Sequence, residues 1–128
     1  MRLLLDTCTF LWAIAGAPDL SPRARALIVD PGNEVLLSAV SAWEITIKWE
    51  RGRLVLKEPP DRLVPAQRTA HGIAHLPLDE ESALHAARLP ALHRDPFDRM
   101  LVSQAIVHGL TIATPHKLVT QYPARTIW

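Results

Sequence analysis

Short apolar segments alternate with amphipathic ones along the whole chain, and this alternation restricts the possible folds more than any other feature. Arg2–Leu5 is apolar after its first residue, which is typical of a strand buried inside a parallel sheet. The predicted strands are Arg2–Leu5, Glu34–Leu37, Ile73–Leu76, Leu110–Ala113 and Thr126–Trp128. Because strands that alternate with helices pair in parallel through right-handed crossovers, we expect an α/β fold with four to five parallel strands and helices on both faces.

Capping residues indicate where the helices begin and end. Ser21-Pro22 and Asp95-Pro96 each place an N-cap residue before a proline, and Gly16, Gly52 and Gly109 are natural C-terminal stops. The predicted helices are Thr7–Ala15, Pro22 to about Val29, Ser38 or Ser41 to about Arg51, about Asp61 to His71, Glu80–Leu89, and Pro96 up to Gly109, with a turn or short helix near His116–Gln121.

The composition excludes several classes of protein. A chain of 128 residues with 48% hydrophobic and 21% charged residues predicts a single folded domain over residues 1–128. A net charge of +1 excludes general attraction to nucleic acid, so such binding needs a local basic patch. The single cysteine, Cys8, excludes an internal disulfide and a cysteine-based zinc cluster, and it predicts a reducing, cytoplasmic setting.

The first 17 residues resemble a signal peptide, since a basic residue is followed by an apolar run and small residues. Asp6 opposes this interpretation, because an acid inside the apolar run costs roughly 2.5 to 3.5 kcal/mol in a membrane-like setting. Nowhere does the chain reach the ~18 apolar residues of a membrane span. We therefore expect neither secretion nor a membrane partner.

Four acidic residues are predicted to meet at one edge of the sheet. Asp6 follows the first strand directly, and Glu44 lies at most about two turns into the helix after the second strand. Asp95 and Asp98 open the helix that leads into the fourth strand, where capping alone could account for them. Because sites in parallel sheets form at the carboxyl ends of strands, we expect these carboxylates to converge.

Convergent carboxylates repel one another, so a bound divalent cation is the simplest explanation of such a cluster. Oxygen ligands alone favour Mg²⁺ or Mn²⁺ over zinc. Ions of this kind bind phosphates together with carboxylates, so the expected chemistry is activation of water by the ion against a phosphodiester.

Four motifs together resemble the PIN-domain ribonucleases, and most closely the VapC toxins of toxin–antitoxin pairs. They are LLLDT near the start, SAWEI after the second strand, HRDPFDRMLVSQA, and GLTIAT late in the chain. The resemblance covers essentially the full chain. It implies a three-layer α/β/α domain, Mg²⁺- or Mn²⁺-dependent endonucleolytic cleavage of RNA, a homodimer, and inhibition by a cognate antitoxin protein.

The resemblance also implies roles for individual residues. By position, the family's three metal-binding acids fall on Asp6, Glu44 and Asp98, and Asp95 is an additional acid that acts through another ligand or through water. The family usually places a fourth acid two residues after Thr114, where this chain has His116. A neutral histidine can bind Mn²⁺ but suits Mg²⁺ poorly, so we expect weak or manganese-preferring activity.

The threonine hydroxyls near these acids, like the basic side chains, have both a structural and a functional interpretation. The hydroxyls of Thr7 and Thr114 could orient Asp6 or a water, although helix capping is the simpler role for Thr7.

Lys48 has the spacing of an ordinary helix ion pair with Glu44, yet a basic strip could also hold RNA phosphates. That alternative extends to Arg51, Arg94 and Arg99, and Arg99 could equally contact the antitoxin.

Two other functions fit parts of the sequence. One is a catalytically weak or inactive protein-binding module, in which His116 has degraded the acid cluster. The other is a phosphoacceptor or phosphatase-like domain with Asp6 as the nucleophile. This second class needs a lysine near the late strands, and only Lys117, in a predicted turn, is available there.

Overall fold

A parallel five-stranded sheet forms the centre of the molecule, which we describe over residues 1–128 from a computed structural model. The strands are β1 (Arg2–Leu5), β2 (Glu34–Ser38), β3 (Ala74–Leu76), β4 (Thr111–Ala113) and β5 (Arg125–Ile127). Their order across the sheet is β3-β2-β1-β4-β5, and every neighbouring pair is parallel. The predicted parallel sheet is therefore confirmed, with β1 at its centre.

Seven helices surround the sheet. They are α1 (Thr7–Ala15), α2 (Pro22–Val29), α3 (Ala39–Glu50), α4 (Pro60–Ala70), α5 (Glu80–Ala86), α6 (Pro96–His108) and α7 (Lys117–Thr120). The predicted caps Ser21 and Asp95 are in place, and Ser38 and Asp79 cap α3 and α5; each accepts a backbone N–H bond. None of these helices is long and apolar enough to cross a membrane.

The prediction was wrong about the end of α5, which stops at Ala86 rather than at Leu89. The Arg99 guanidinium takes the carbonyls of Ala86 and Leu89 as acceptors, so these carbonyls have a partner without a further helical turn. Residues 87–95 are consequently irregular and lead into α6.

Alternating side chains of β1 divide the core into two halves. Leu3 and Leu5 pack with residues of α1, α2, α3 and α4, whereas Leu4 packs with residues of α6 and α7. All three leucines are fully buried. Burying a leucine stabilises the folded state by roughly 1.5 to 3 kcal/mol, so both faces of β1 contribute to stability. With helices packed on both faces of the sheet, the molecule has the expected three-layer α/β/α architecture.

A buried polar side chain joins the layers near the carboxyl edge of the sheet. Gln104 of α6 is inaccessible to solvent; its amide oxygen accepts from the Ser38 hydroxyl at 2.5 Å, and its amide nitrogen donates to the Pro77 carbonyl at 3.0 Å. These bonds fix α6 against the end of β2, and so position the first turn of α6 beside the strand ends.

Candidate active site

Asp6 lies at the end of the central strand and is almost fully buried. It is the N-cap of α1: one carboxylate oxygen accepts from the Thr9 N–H at 2.7 Å, and the other accepts from the Thr114 hydroxyl at 2.5 Å. The positive end of the helix dipole also favours the ionised carboxylate. Neutral donors therefore satisfy both oxygens of this buried acid.

Glu44 of α3 is the second buried acid, with 3% of its surface exposed. Its Oε1 accepts from the Thr7 hydroxyl at 2.5 Å, and its Oε2 accepts from the Lys48 ammonium at 2.6 Å. Lys48 therefore forms the helix ion pair that its spacing predicted. Asp6 rather than Thr7 caps α1, and the Thr7 hydroxyl bonds to Glu44 rather than to Asp6.

The first turn of α6 supplies the other two acids. Asp95 caps the helix, accepting from the N–H groups of Phe97 at 2.9 Å and Asp98 at 3.4 Å. Asp98 is buried, and its Oδ2 lies 2.8 Å from Nε2 of His93. No role for His93 was predicted from the sequence. Its position two residues before the N-cap Asp95 nevertheless indicated that it would lie close to the first turn of α6.

His116 lies between the two halves of the site. Its Nδ1 is 3.6 Å from Asp6 Oδ2 and 4.0 Å from Asp98 Oδ2, and its backbone N–H donates to the Thr114 hydroxyl. The residue that replaces the expected fourth acid thus lies beside the acid cluster, with 40% of its side chain exposed, and Thr114 bonds to both it and Asp6.

Burial is the main cause of the raised pKa values of Asp98 and Cys8. It raises the pKa of Asp98, and the nearby charges of Asp95 and Glu44 raise that pKa further, against the opposing effects of His93 and His116. Burial, reinforced by the charge of Asp6, raises the pKa of the Cys8 thiol to about 11. Cys8 is consequently protonated at neutral pH, as expected of a structural cysteine rather than a nucleophile.

Asp95 and Asp98 open into a surface groove of about 380 Å³, which is also lined by His93, His116, Lys117 and Leu118. Potential ligand atoms of His93, Asp95 and Asp98 all lie within 4.8 Å of one another, close enough to share one cation. Three larger cavities, of about 520, 530 and 440 Å³, lie elsewhere and contain no such group of potential metal ligands. Chemistry therefore identifies the groove as the candidate site despite its smaller size.

The basic residues differ in what they offer a ligand. The side chains of Arg51 and Arg94 are exposed and form no hydrogen bond or ion pair within the chain. Arg99, in contrast, donates to the carbonyls of Ala86, Leu89 and Pro90 and to the Tyr122 hydroxyl. The Arg99 guanidinium is thus engaged within the protein, which leaves it less available to RNA or an antitoxin than Arg51 and Arg94.

The molecule is a three-layer α/β/α domain with acids gathered at the carboxyl edge of its sheet, which is where parallel α/β folds bind their ligands. Residues 3–116 match the PIN domain family, and the chain belongs to that family.

Three known proteins illustrate the similarity. Ribonuclease VapC16 of Mycobacterium tuberculosis is 38% identical over 69 residues, which are 54% of this chain and 49% of that protein, so the match spans about half of the relative. In fold, the chain resembles VapBC2 from Rickettsia felis bound to a promoter DNA fragment, with a TM-score of 0.73 and 16% identity over 99% of this chain and 98% of that one. It also resembles DNA-bound VapBC from Salmonella typhimurium, with a TM-score of 0.68 and 17% identity over 99% and 97%.

The raised pKa of Asp98 predicts a pH-dependent cost of keeping this acid in the folded protein. A folded-state pKa above the unfolded value means that the native state binds the proton more tightly, so stability falls as pH rises through this range. Asp98→Asn should therefore raise the free energy of unfolding at pH 7, and the gain should shrink as pH falls toward 4. Urea unfolding of both proteins across this range, without added metal, measures the difference. A gain that is independent of pH would contradict the assignment.

Proposed function

We propose that this chain, as a single PIN domain over residues 1–128, is a divalent-metal-dependent endoribonuclease that acts as the toxin of a toxin–antitoxin pair. One observation carries the proposal. Asp6 and Asp98, which are far apart in sequence, both lie within 4.0 Å of the His116 imidazole at the carboxyl edge of a PIN-family sheet. Buried acids of like charge gathered in this way need a compensating cation.

The chemistry of the donor set fits Mg²⁺ or Mn²⁺. Asp6, Glu44 and Asp98 would hold the ion, assisted by Asp95, and carboxylate oxygens are the ligands that hard divalent cations prefer. His116 adds an imidazole, which suits Mn²⁺ better than Mg²⁺. When bound, the cation supplies activation of water and stabilisation of charge on the phosphate.

The chain's own residues prepare the site for a phosphodiester substrate. Thr114 and Thr7 fix Asp6 and Glu44 in single orientations, which lowers the reorganisation needed at the time of reaction. Exposed Lys117 lines the groove, and exposed Arg51 and Arg94 are available to phosphates. With a net charge of only +1, the protein would depend on these local cations to hold RNA.

The names of the similar proteins support the biological part of the proposal. One is a ribonuclease, and two are structures of VapBC assemblies bound to DNA. We infer that this chain binds a cognate antitoxin and forms a homodimer, and its lone cysteine fits a cytoplasmic protein.

A catalytically weak protein-binding module is the second candidate. It is favoured by the Lys48–Glu44 ion pair, which already neutralises one acid without a metal.

The first test is metal-dependent cleavage of RNA. Asp6→Asn keeps an N-cap side chain but removes the charge, so the protein should stay folded while Mn²⁺-dependent cleavage falls to background. Asp19→Asn is the matched control, because Asp19 is exposed and makes no side-chain hydrogen bond. Full cleavage by a folded Asp6→Asn protein would exclude the proposed site.

Growth of a bacterial host tests the role as a toxin. Induction of the chain alone should arrest growth, and co-expression with the protein encoded by the neighbouring gene should restore it. Asp6→Asn, expressed to the same soluble level, should be harmless. Unaltered growth during expression of the soluble parent chain would favour the protein-binding module.

Replacement of His116 tests why this chain departs from its family. His116→Asp places an oxygen ligand beside Asp6 and Asp98, so activity with Mg²⁺ should rise relative to activity with Mn²⁺. Initial cleavage rates with each ion measure the ratio, and His75→Asp, at an exposed site on β3, is the control. An unchanged ratio would show that His116 takes no part in selecting the metal.

A further inference from the structure

Tyr122 anchors the irregular segment that links α5 to α6. It is 3% exposed, and its hydroxyl makes three hydrogen bonds. The hydroxyl donates to the Pro90 carbonyl at 3.0 Å, and it accepts from the backbone N–H of His93 at 3.0 Å and from the Arg99 guanidinium at 3.1 Å. A single buried atom therefore holds both ends of the stretch between Pro90 and His93.

Arg99 strengthens the same anchor from α6. Its guanidinium donates to the carbonyls of Pro90 at 2.9 Å, Ala86 at 3.0 Å and Leu89 at 3.2 Å. Hydrogen bonds from a charged donor are stronger than those between neutral groups, and a planar guanidinium can make several of them in fixed directions. Residues 86–93 are thus restrained although they form no continuous helix or strand.

The restrained segment delivers the His93 imidazole to Asp98. His93 Nε2 lies 2.8 Å from Asp98 Oδ2, and 15% of the His93 side chain is exposed. An ionised carboxylate only accepts, so Nε2 carries the proton of this bond. The other oxygen of Asp98, Oδ1, has no hydrogen-bond partner. Every fully buried side-chain oxygen in the protein does have a partner, so Oδ1 must be accessible to solvent.

We infer that His93 is a positioning residue for Asp98, and that Tyr122 and Arg99 hold it in place. The His93 imidazole fixes the rotation of the Asp98 carboxylate through the hydrogen bond to Oδ2. The other oxygen, Oδ1, is then directed away from His93 and is available to a cation. The inference rests on the proposed function, because it assigns His93 to the acid that we propose as a metal ligand. It gives His93 no contact with substrate or ion.

Binding of Mn²⁺ to the purified protein, followed by calorimetry, tests this role. His93→Leu removes the donor and should weaken Mn²⁺ binding roughly 10- to 100-fold, as is typical when a hydrogen bond to a ligating group is lost. His93→Gln retains an N–H donor and should remain closer to the parent. Tyr122→Phe retains the His93 side chain but removes the hydroxyl that binds the His93 backbone N–H. The Mn²⁺ affinity of this variant should therefore fall between those of the parent and His93→Leu.

Controls separate positioning from a general loss of structure. His75→Leu, at an exposed site, should bind Mn²⁺ as the parent does. Urea unfolding without metal shows whether each variant is folded, and a merely structural His93 would lower stability without changing the affinity of the folded protein. Parent-like affinity in folded His93→Leu would overturn the inference.

Two further results distinguish the possible failures. Asp98→Asn should lose Mn²⁺ affinity, and retained affinity would show that the proposed site itself is wrong. If Mn²⁺ affinity depends on Asp98 but not on His93, only the positioning role is overturned.

Pulsed electron paramagnetic resonance of Mn²⁺ in a His116→Ala background detects a coordinated imidazole nitrogen. A nitrogen signal that disappears on adding His93→Gln would make His93 a ligand and would also overturn the inference.

Discussion

The burial of Asp6 at the end of the central strand is the constraint on which the rest of the site depends. A carboxylate with 1% exposure is tolerable only if its oxygens have donors, and the donors come from two separate segments, Thr9 in α1 and Thr114 after β4. The same acid therefore starts α1, fixes the chain after β4, and places His116 within 3.6 Å. The cost of burying the charge is offset by bonds that also assemble the site.

The acids differ in how completely the protein satisfies them. Each oxygen of Asp6 and Glu44 already has a protein partner, whereas Oδ1 of Asp98 and Oδ2 of Asp95 have none. The groove is lined by the second pair of acids together with His93 and His116. The first turn of α6 is accordingly the part of the site that is most available to a ligand, whereas Asp6 and Glu44 are more deeply buried.

Much of the fold follows from local rules that the sequence displays directly. The strand at Arg2–Leu5 and the caps at Ser21 and Asp95 were predictable because apolar periodicity and capping are properties of adjacent residues. The end of α5 was not predictable, since it depends on Arg99, which is thirteen residues beyond Ala86 and acts through tertiary contact. The site shows the same division: sheet topology predicted the convergence of Asp6 and Asp98, but no local pattern could pair Thr7 with Glu44.

The basic residues show why charge alone is a poor guide to a binding surface. Lys48, Arg94 and Arg99 look equivalent in the sequence, yet Lys48 is paired with Glu44, Arg99 is enclosed by carbonyls, and Arg94 is exposed and unpaired. A basic side chain that already donates to protein acceptors would lose those hydrogen bonds on moving to a phosphate. Each buried acceptor that is left without a donor then costs about 1 to 3 kcal/mol of free energy. Under the proposed function, electrostatic attraction for a phosphodiester would therefore come from Arg94, Arg51 and Lys117, while Lys48 pairs with Glu44 and Arg99 holds the α5–α6 segment.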